Sequence, residues 1–185
     1  GVTFDFVGFD ACLMATAENA LMLAKHADYM IASEETEPGI GWYYTGWLTN
    51  YSKDSSRSTL QIGKDIIDGF VDACARKVSG QSTTLSLVDL AEAEITIPQT
   101  LTDFSVDTYE LIKNQDYAKV SKARSGAREF SPSNKIDQID LVHFAKNIGS
   151  EEGKALAEAV LGAVKYNRTS SNMTNAYGLS IYFPY

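Results

Sequence analysis

Cys12 is the residue of this chain best suited to chemistry, and Asp10 stands two places before it in the run Val2 to Cys12, VTFDFVGFDAC. A thiolate is a nucleophile, and a carboxylate beside it can hold a cation. Val2, Phe4, Phe6 and Val7 have the β-branched and aromatic content of a buried strand, while Leu13 to Ala27 carries helical spacing through Leu13, Met14, Ala17, Leu21 and Ala24. Cys12 is therefore expected at a strand-to-helix junction, where the free N–H groups and positive end of the helix favour a thiolate. That junction is also the carboxyl end of a strand, where open α/β sheets keep their ligand crevices. A free Cys after an apolar strand is also commonly a core residue, so position alone leaves both readings open.

If the backbone stays extended through the junction, Asp10 and Cys12 point to one face. A carboxylate there would pair with a guanidinium or ammonium of a substrate. The alternative is that Asp10 accepts backbone N–H groups at the helix start.

A thiol nucleophile needs a base, and the chain has two histidines. His26 follows Cys12 by 14 positions on what reads as one helix, which puts it about 21 Å away along the axis. His143 lies about 130 residues downstream, a papain-type spacing. The papain-type CGSCW surroundings are absent, however, and His143 sits within the amphipathic turn IDLVHFAKNI, where it reads as a satisfied group on a helix side.

Strand, helix and the short strand Asp28 to Ala32 make a βαβ unit, which predicts a mostly parallel sheet. Ser33 to Tyr51 reads as a loop with Trp42, Tyr43, Tyr44, Trp47 and Tyr51, starting on the same sheet edge as Cys12. A long amphipathic helix begins at Thr59, with Cys74 inside its apolar stripe as a core thiol. Thr83 to Val88 alternates as a strand, Asp89 caps a short helix reaching Pro98, and Leu101 to about Val120 is a further helix. Ala118 to Asn134 is a loop or ragged helix. Asp140 and Ser150 cap two helices, Asn167 to Asn175 is a polar loop, and Tyr177 to Phe183 is the last strand.

The 185 residues, 44% hydrophobic and 22% charged, suit one domain, 1–185, with a sizeable core. A net charge of −8 without a Lys/Arg cluster excludes a nucleic-acid binder and fits a cationic partner. No apolar run approaches the roughly 20 residues of a membrane span, so no membrane partner is expected. No CxxC pair, HExxH or EF-hand run suggests a metal. Gly1 directly before a strand suggests a start made by cleavage or by truncation rather than a natural beginning.

FDFVGFDACLMATAENA, ADYMIASEETEPGIGW, TTLSLVDL, IDLVHFAKNI and AYGLSIYFP, in this order, resemble the larger part of clostripain-like cysteine peptidases, the caspase-fold group that includes gingipains and legumains. The resemblance runs from about Val2 to Pro184. It implies an α/β, caspase-like fold with helices on both faces, incomplete at the N-terminus, and Cys12 as nucleophile. It further implies a basic-residue pocket built on Asp10 with Ser33, Glu34 and Glu35, and a peptide or protein substrate cut after Arg or Lys. In such enzymes the base is a His ahead of the Cys strand. A partner light chain or preceding segment is therefore implied, this chain alone being inactive. Calcium and a secreted or cell-envelope bacterial setting are implied by resemblance only. The alternative reading is a catalytically silent caspase-fold subunit that binds basic peptides or a partner chain.

Overall fold

The computed structural model describes every residue from Gly1 to Tyr185. Its first strand, β1 (Phe4–Gly8), leads through a turn to α1 (Ala17–Leu23) and then β2 (Ala27–Ala32), so the anticipated βαβ unit is present and its strands are parallel, Phe4 opposite Ala27 and Gly8 opposite Ile31. After β2 come α2 (Tyr44–Lys53), α3 (Thr59–Lys77), β3 (Thr84–Asp89) and α4 (Leu90–Lys113). The remainder is α5 (Tyr117–Gly126), β4 (Glu129–Phe130), a 3-10 turn at Pro132–Asn134, β5 (Gln138–Asp140), α6 (Leu141–Ile148), α7 (Glu151–Ala163), β6 (Val164–Thr169) and β7 (Ser180–Tyr182).

The main sheet has the order β1-β2-β3-β6, and a smaller one β4-β5-β7. Only β1 and β2 run parallel; β3 is antiparallel to β2 and β6 to β3, so the sheet is mixed rather than mostly parallel. The 51 residues from Ser33 to Thr83 that separate β2 from β3 are long enough to bring the chain back in either direction. Nothing in their pattern announces which.

Helices do cover both faces. Met30 and Val88 point into a core with α1, α4, α6 and α7, and Ile31, Leu85 and Leu87 point the other way onto Ile66, Ile67 and Phe70 of α3. Alternation along each strand produces this two-sided burial. The α3 helix is fixed at its start by a capping box in which Ser58 and Gln61 bond each other's backbone N–H groups.

Three boundaries differ from expectation. Pro98 does not stop the helix after Asp89: α4 runs on to Lys113, with the hydroxyls of Thr96, Thr100, Thr102 and Ser105 bonded back to carbonyls four residues earlier. Tyr44–Lys53 is helical, not loop, packing Tyr43 against Gly69 of α3. Val164–Thr169, read as helix end and polar loop, is the strand β6, held by β3. No helix is long and apolar enough to cross a membrane.

Candidate active site

β1 ends at Gly8, four residues before the nucleophile candidate. A side chain at Gly8 would collide with the Trp42 ring, whose carbons come within 2.9 Å of a Cβ placed there. The chain then turns instead of continuing extended. Cys12 lies in that turn, exposed, with its sulfur at the surface. The expected helix head is displaced: α1 starts at Ala17 with Thr16 as its cap, so no helix N-terminus adjoins the sulfur. The partner of the sulfur is a peptide group, the N–H of Glu37, which donates to Sγ at 3.2 Å.

The turn is held in shape from β2's outgoing segment. Leu13, with φ +64° in the left-handed region, donates its N–H to the Glu35 carbonyl at 3.2 Å, and Ala15 donates to the Ser33 carbonyl at 2.9 Å. A left-handed leucine costs about 1–2 kcal/mol, and these two bonds together with the packing of its side chain near Phe130 and Met173 offset it.

Ser33, Glu34 and Glu35, which the resemblance assigns to the pocket wall, follow β2 directly, and Glu35 lines an open cavity with Glu37 and Ser131. All three are buried, Glu34 at 1% exposure. The Ser33 hydroxyl donates to the Glu35 carbonyl at 2.8 Å and meets the Thr84 hydroxyl at 2.9 Å, which itself receives the N–H groups of Glu34 and Glu35. The Glu35 carboxylate accepts from Thr36 and from the N–H of Ser131. The Glu34 carboxyl accepts from Gly178 N–H at 2.9 Å and faces Asp140, whose other contacts are the N–H groups of His143 at 2.6 Å and Tyr177 at 2.5 Å. Burial and the neighbouring Asp140 push the Glu34 carboxyl well above the usual carboxylate range, and burial pushes Asp140 up to about 6. Glu34 Oε1 is buried with no N–H or O–H donor in reach, so a proton shared with Asp140 would satisfy it. These three residues fasten the loop, and the carbonyls of Ser33 and Glu35 accept from the nucleophile's turn.

Asp10 is placed as anticipated, exposed beside the Cys12 turn. Its Oδ2 accepts from the Tyr44 hydroxyl at 3.0 Å and the Trp42 N–H at 3.2 Å. It also lies over Gly41, where φ is +64° and a Cβ would stand 3.2 Å from Oδ2, so both the turn and the carboxylate require a glycine. Glu37, readable in the sequence only as one acid in a polar loop, is the residue that was missed. Its carboxyl faces Asp10, accepts from the Trp42 indole N–H at 3.3 Å, and is pushed up to about 8 by burial and the Asp10 charge, against the indole bond that lowers it. The proline and glycines that follow Glu37 were the available signal, because they hold such a loop against its neighbours.

Neither histidine joins this site. His26 lies in the turn before β2, level with the start of β1, so the length of a five-residue strand, about 13 Å, separates it from the Cys12 end. His143 Nδ1 accepts the Arg128 N–H at 2.9 Å, and burial and the nearby Arg128 and Lys146 charges lower its pKa. No three His, Cys, Asp or Glu side chains gather closely enough to hold a metal ion.

An exposed thiol past the carboxyl end of a strand, in a sheet flanked by helices and beside two carboxyl groups, has the layout of a caspase-fold cysteine peptidase. The fold has solved counterparts. A clostripain from Bacteroides thetaiotaomicron in complex with the peptide inhibitor BTN-VLTK-AOMK matches with a TM-score of 0.74 at 17% identity, over 98% of this chain and 79% of that one. A secreted C11 cysteine protease of the same species, iotapain, matches with the same TM-score and identity over 98% of this chain and 50% of its own. A B. fragilis cysteine protease matches at 0.68 and 18%, over 100% and 80%. No curated protein matches the sequence. Residues 1–180 match the model of the clostripain family, peptidase family C11, and the chain belongs to that family.

Proposed function

We propose that residues 1–185 are the Cys-bearing portion of one caspase-like domain in an endopeptidase that cleaves after Arg or Lys, with Cys12 as nucleophile. The observation that carries this reading is the Glu37 N–H on Cys12 Sγ, which ties the exposed sulfur to the loop that lines the Asp10 carboxylate. A basic side chain seated on Asp10 would bring the scissile carbonyl to the sulfur. The thiolate then forms a bond to that carbon, and the oxyanion meets the Cys12 N–H, which has no acceptor within the chain. The C–N bond breaks as the amine takes a proton from the base, and water hydrolyses the thioester.

That base must come from outside these residues, since His26 and His143 are otherwise placed. Support for a preceding segment or light chain comes from β1: it is the edge strand of its sheet, and Val2 and Phe4 beside its open edge are 79% and 57% exposed. An added strand would satisfy that edge and cover those side chains. The inhibitor in the B. thetaiotaomicron clostripain complex carries the sequence VLTK, ending in lysine, which agrees with a basic preference. Iotapain is described as secreted, and we place this protein in the same bacterial export class.

The test is turnover of an Arg- or Lys-containing peptide by this chain with and without the segment that precedes it. Activity that appears only with the segment and vanishes in Cys12→Ala supports the proposal. No activity in the combined protein, with retained binding of basic peptides, supports the silent-subunit reading instead.

A further inference from the structure

Resting on the peptidase reading above, we propose that the cavity between the end of α3 and the end of β6 is a remote subsite, taking an uncharged aromatic side chain of the substrate about four residues from the bond that Cys12 attacks. This cavity holds about 350 Å³. Its position follows from the strand register. Gly8 ends β1 beside Ile31, Ala32 ends β2 beside Ser86, and Thr84, which receives the N–H groups of Glu34 and Glu35, pairs with Thr169 at the end of β6. β1, β2 and β6 therefore finish, and β3 starts, on one edge of the sheet, with Cys12 beyond β1 and the cavity beyond β6. Three strand intervals of about 4.8 Å separate the two, roughly 14 Å, which an extended chain covers in about four residues. The ground between them is hollow. A second cavity of about 370 Å³ is lined by Glu37, whose N–H bonds the sulfur, and by Gln81, which also lines the first. The two cavities adjoin at Gln81, so a polypeptide held at Cys12 can run along one into the other.

The lining decides what the remote cavity takes. Val71, Cys74 and Val78, from the apolar stripe of α3, supply an apolar wall. Burial, and to a smaller degree the Glu37 charge, push the Cys74 thiol up, so it stays a neutral part of that wall. The charged residues of the lining are Asp72 and Arg168, bonded to each other at 3.0 Å, and Arg168 is held from its other side by Asp68 at 2.8 Å. With these charges already paired, an Arg, Lys, Asp or Glu entering the cavity would shed water and find no free counter-ion. An aromatic ring meets no such penalty. It packs on the valines, and a guanidinium fixed at two nitrogens offers its plane for stacking with little side-chain freedom left to lose.

The test reads binding without turnover, in the full chain with its preceding segment and Cys12→Ala. Fluorescent polyalanine peptides carry one arginine as anchor and one phenylalanine, moved position by position along either side of it, and their Kd values are measured by anisotropy. Phe about four residues from the arginine should tighten binding about tenfold over alanine. Phe one or two residues away should not, and Lys or Asp at the favoured position should do no better than alanine. Ala75→Trp and Ser171→Trp each fill the cavity from an exposed lining position, and each should abolish the gain. No gain at any position, or a gain that persists in both tryptophan variants, overturns the inference. Should one variant fail to fold, the other decides; should both fail, the scan decides alone, because a gain confined to the arginine's neighbours sinks the remote subsite. Cleavage of the same peptides after arginine by the chain with Cys12 intact, without a distant Phe effect, removes the subsite and leaves the peptidase reading standing. If that chain cuts none of them, the peptidase reading falls and takes the subsite with it.

Discussion

Replacing Glu34 by Gln should remove the share of the pH dependence of stability that the Glu34 carboxyl contributes to its buried pair with Asp140. In the folded protein Glu34 holds its proton well above the ordinary carboxylate range, whereas in the unfolded chain it ionises near 4.5. Above that pH the folded state therefore binds more protons than the unfolded state, and stability falls as pH rises. One proton corresponds to about 1.4 kcal/mol per pH unit, so stability falls at up to about that rate while folded Glu34 keeps its proton. At a urea slope of about 2 kcal/mol per molar this lowers the unfolding midpoint by about 0.7 M per pH unit. Glutamine donates an N–H to Asp140 at every pH and still accepts from Gly178, so the Glu34 proton no longer enters the balance. Urea melts of wild type and Glu34→Gln at half-unit steps from pH 4.5 to 7.5 make the comparison. The difference between the two should grow with pH in favour of the variant. Parallel curves would refute the shared proton and leave Glu34 as an ordinary buried acceptor.

Gly41→Ala should destabilise the fold by about 1–2 kcal/mol, because alanine resists φ +64° and its methyl approaches Asp10 at 3.2 Å; thermal melting checks this, with the ratio of Cys12 alkylation by a basic to a neutral probe expected to fall as Asp10 is displaced. His143→Ala should cost about 1–3 kcal/mol by stripping the acceptor from the Arg128 N–H. Its Cys12 alkylation rate should match wild type, and slower alkylation at unchanged stability would make His143 a base after all.

Much of this architecture was legible because caps and apolar periods are local. Asp89, Asp140 and Ser150 each cap the helix expected of them, and the α3 stripe runs over its expected face with Cys74 buried in it. What escaped was decided by contacts across the chain. The direction of β3 and the existence of β6 depend on which edge a segment meets, and neither leaves a trace in local pattern. Glu34 and Glu35 look like solvated loop acids because their partners, Asp140, Gly178 and Ser131, are about 100 or more residues away. Asp10 was placed for a reason that did not hold in detail. The chain turns at Cys12, and both residues are tied to one loop, Asp10 by the Trp42 N–H and Cys12 by the Glu37 N–H.

The same dependence explains why slot and nucleophile have to be studied as one unit. The turn carrying Cys12 is bonded to the segment Ser33 to Glu37 through the N–H groups of Leu13 and Ala15 and through the sulfur itself. That segment is in turn fastened to β3 by Thr84, to the residue following β4 by Ser131, and to the residues before β7 by Gly178. A substitution anywhere along this chain of bonds shifts the sulfur and the carboxyl slot together. Raw rates with a basic substrate then mix two effects, a moved nucleophile and an altered cation site. The ratio of a charged to a neutral probe cancels the first, since both probes meet the same sulfur, and retains the second. Asp10 should therefore change the ratio with little effect on the neutral probe's rate, while the buried anchors Ser33, Glu34 and Thr84 should lower the neutral probe's rate as well.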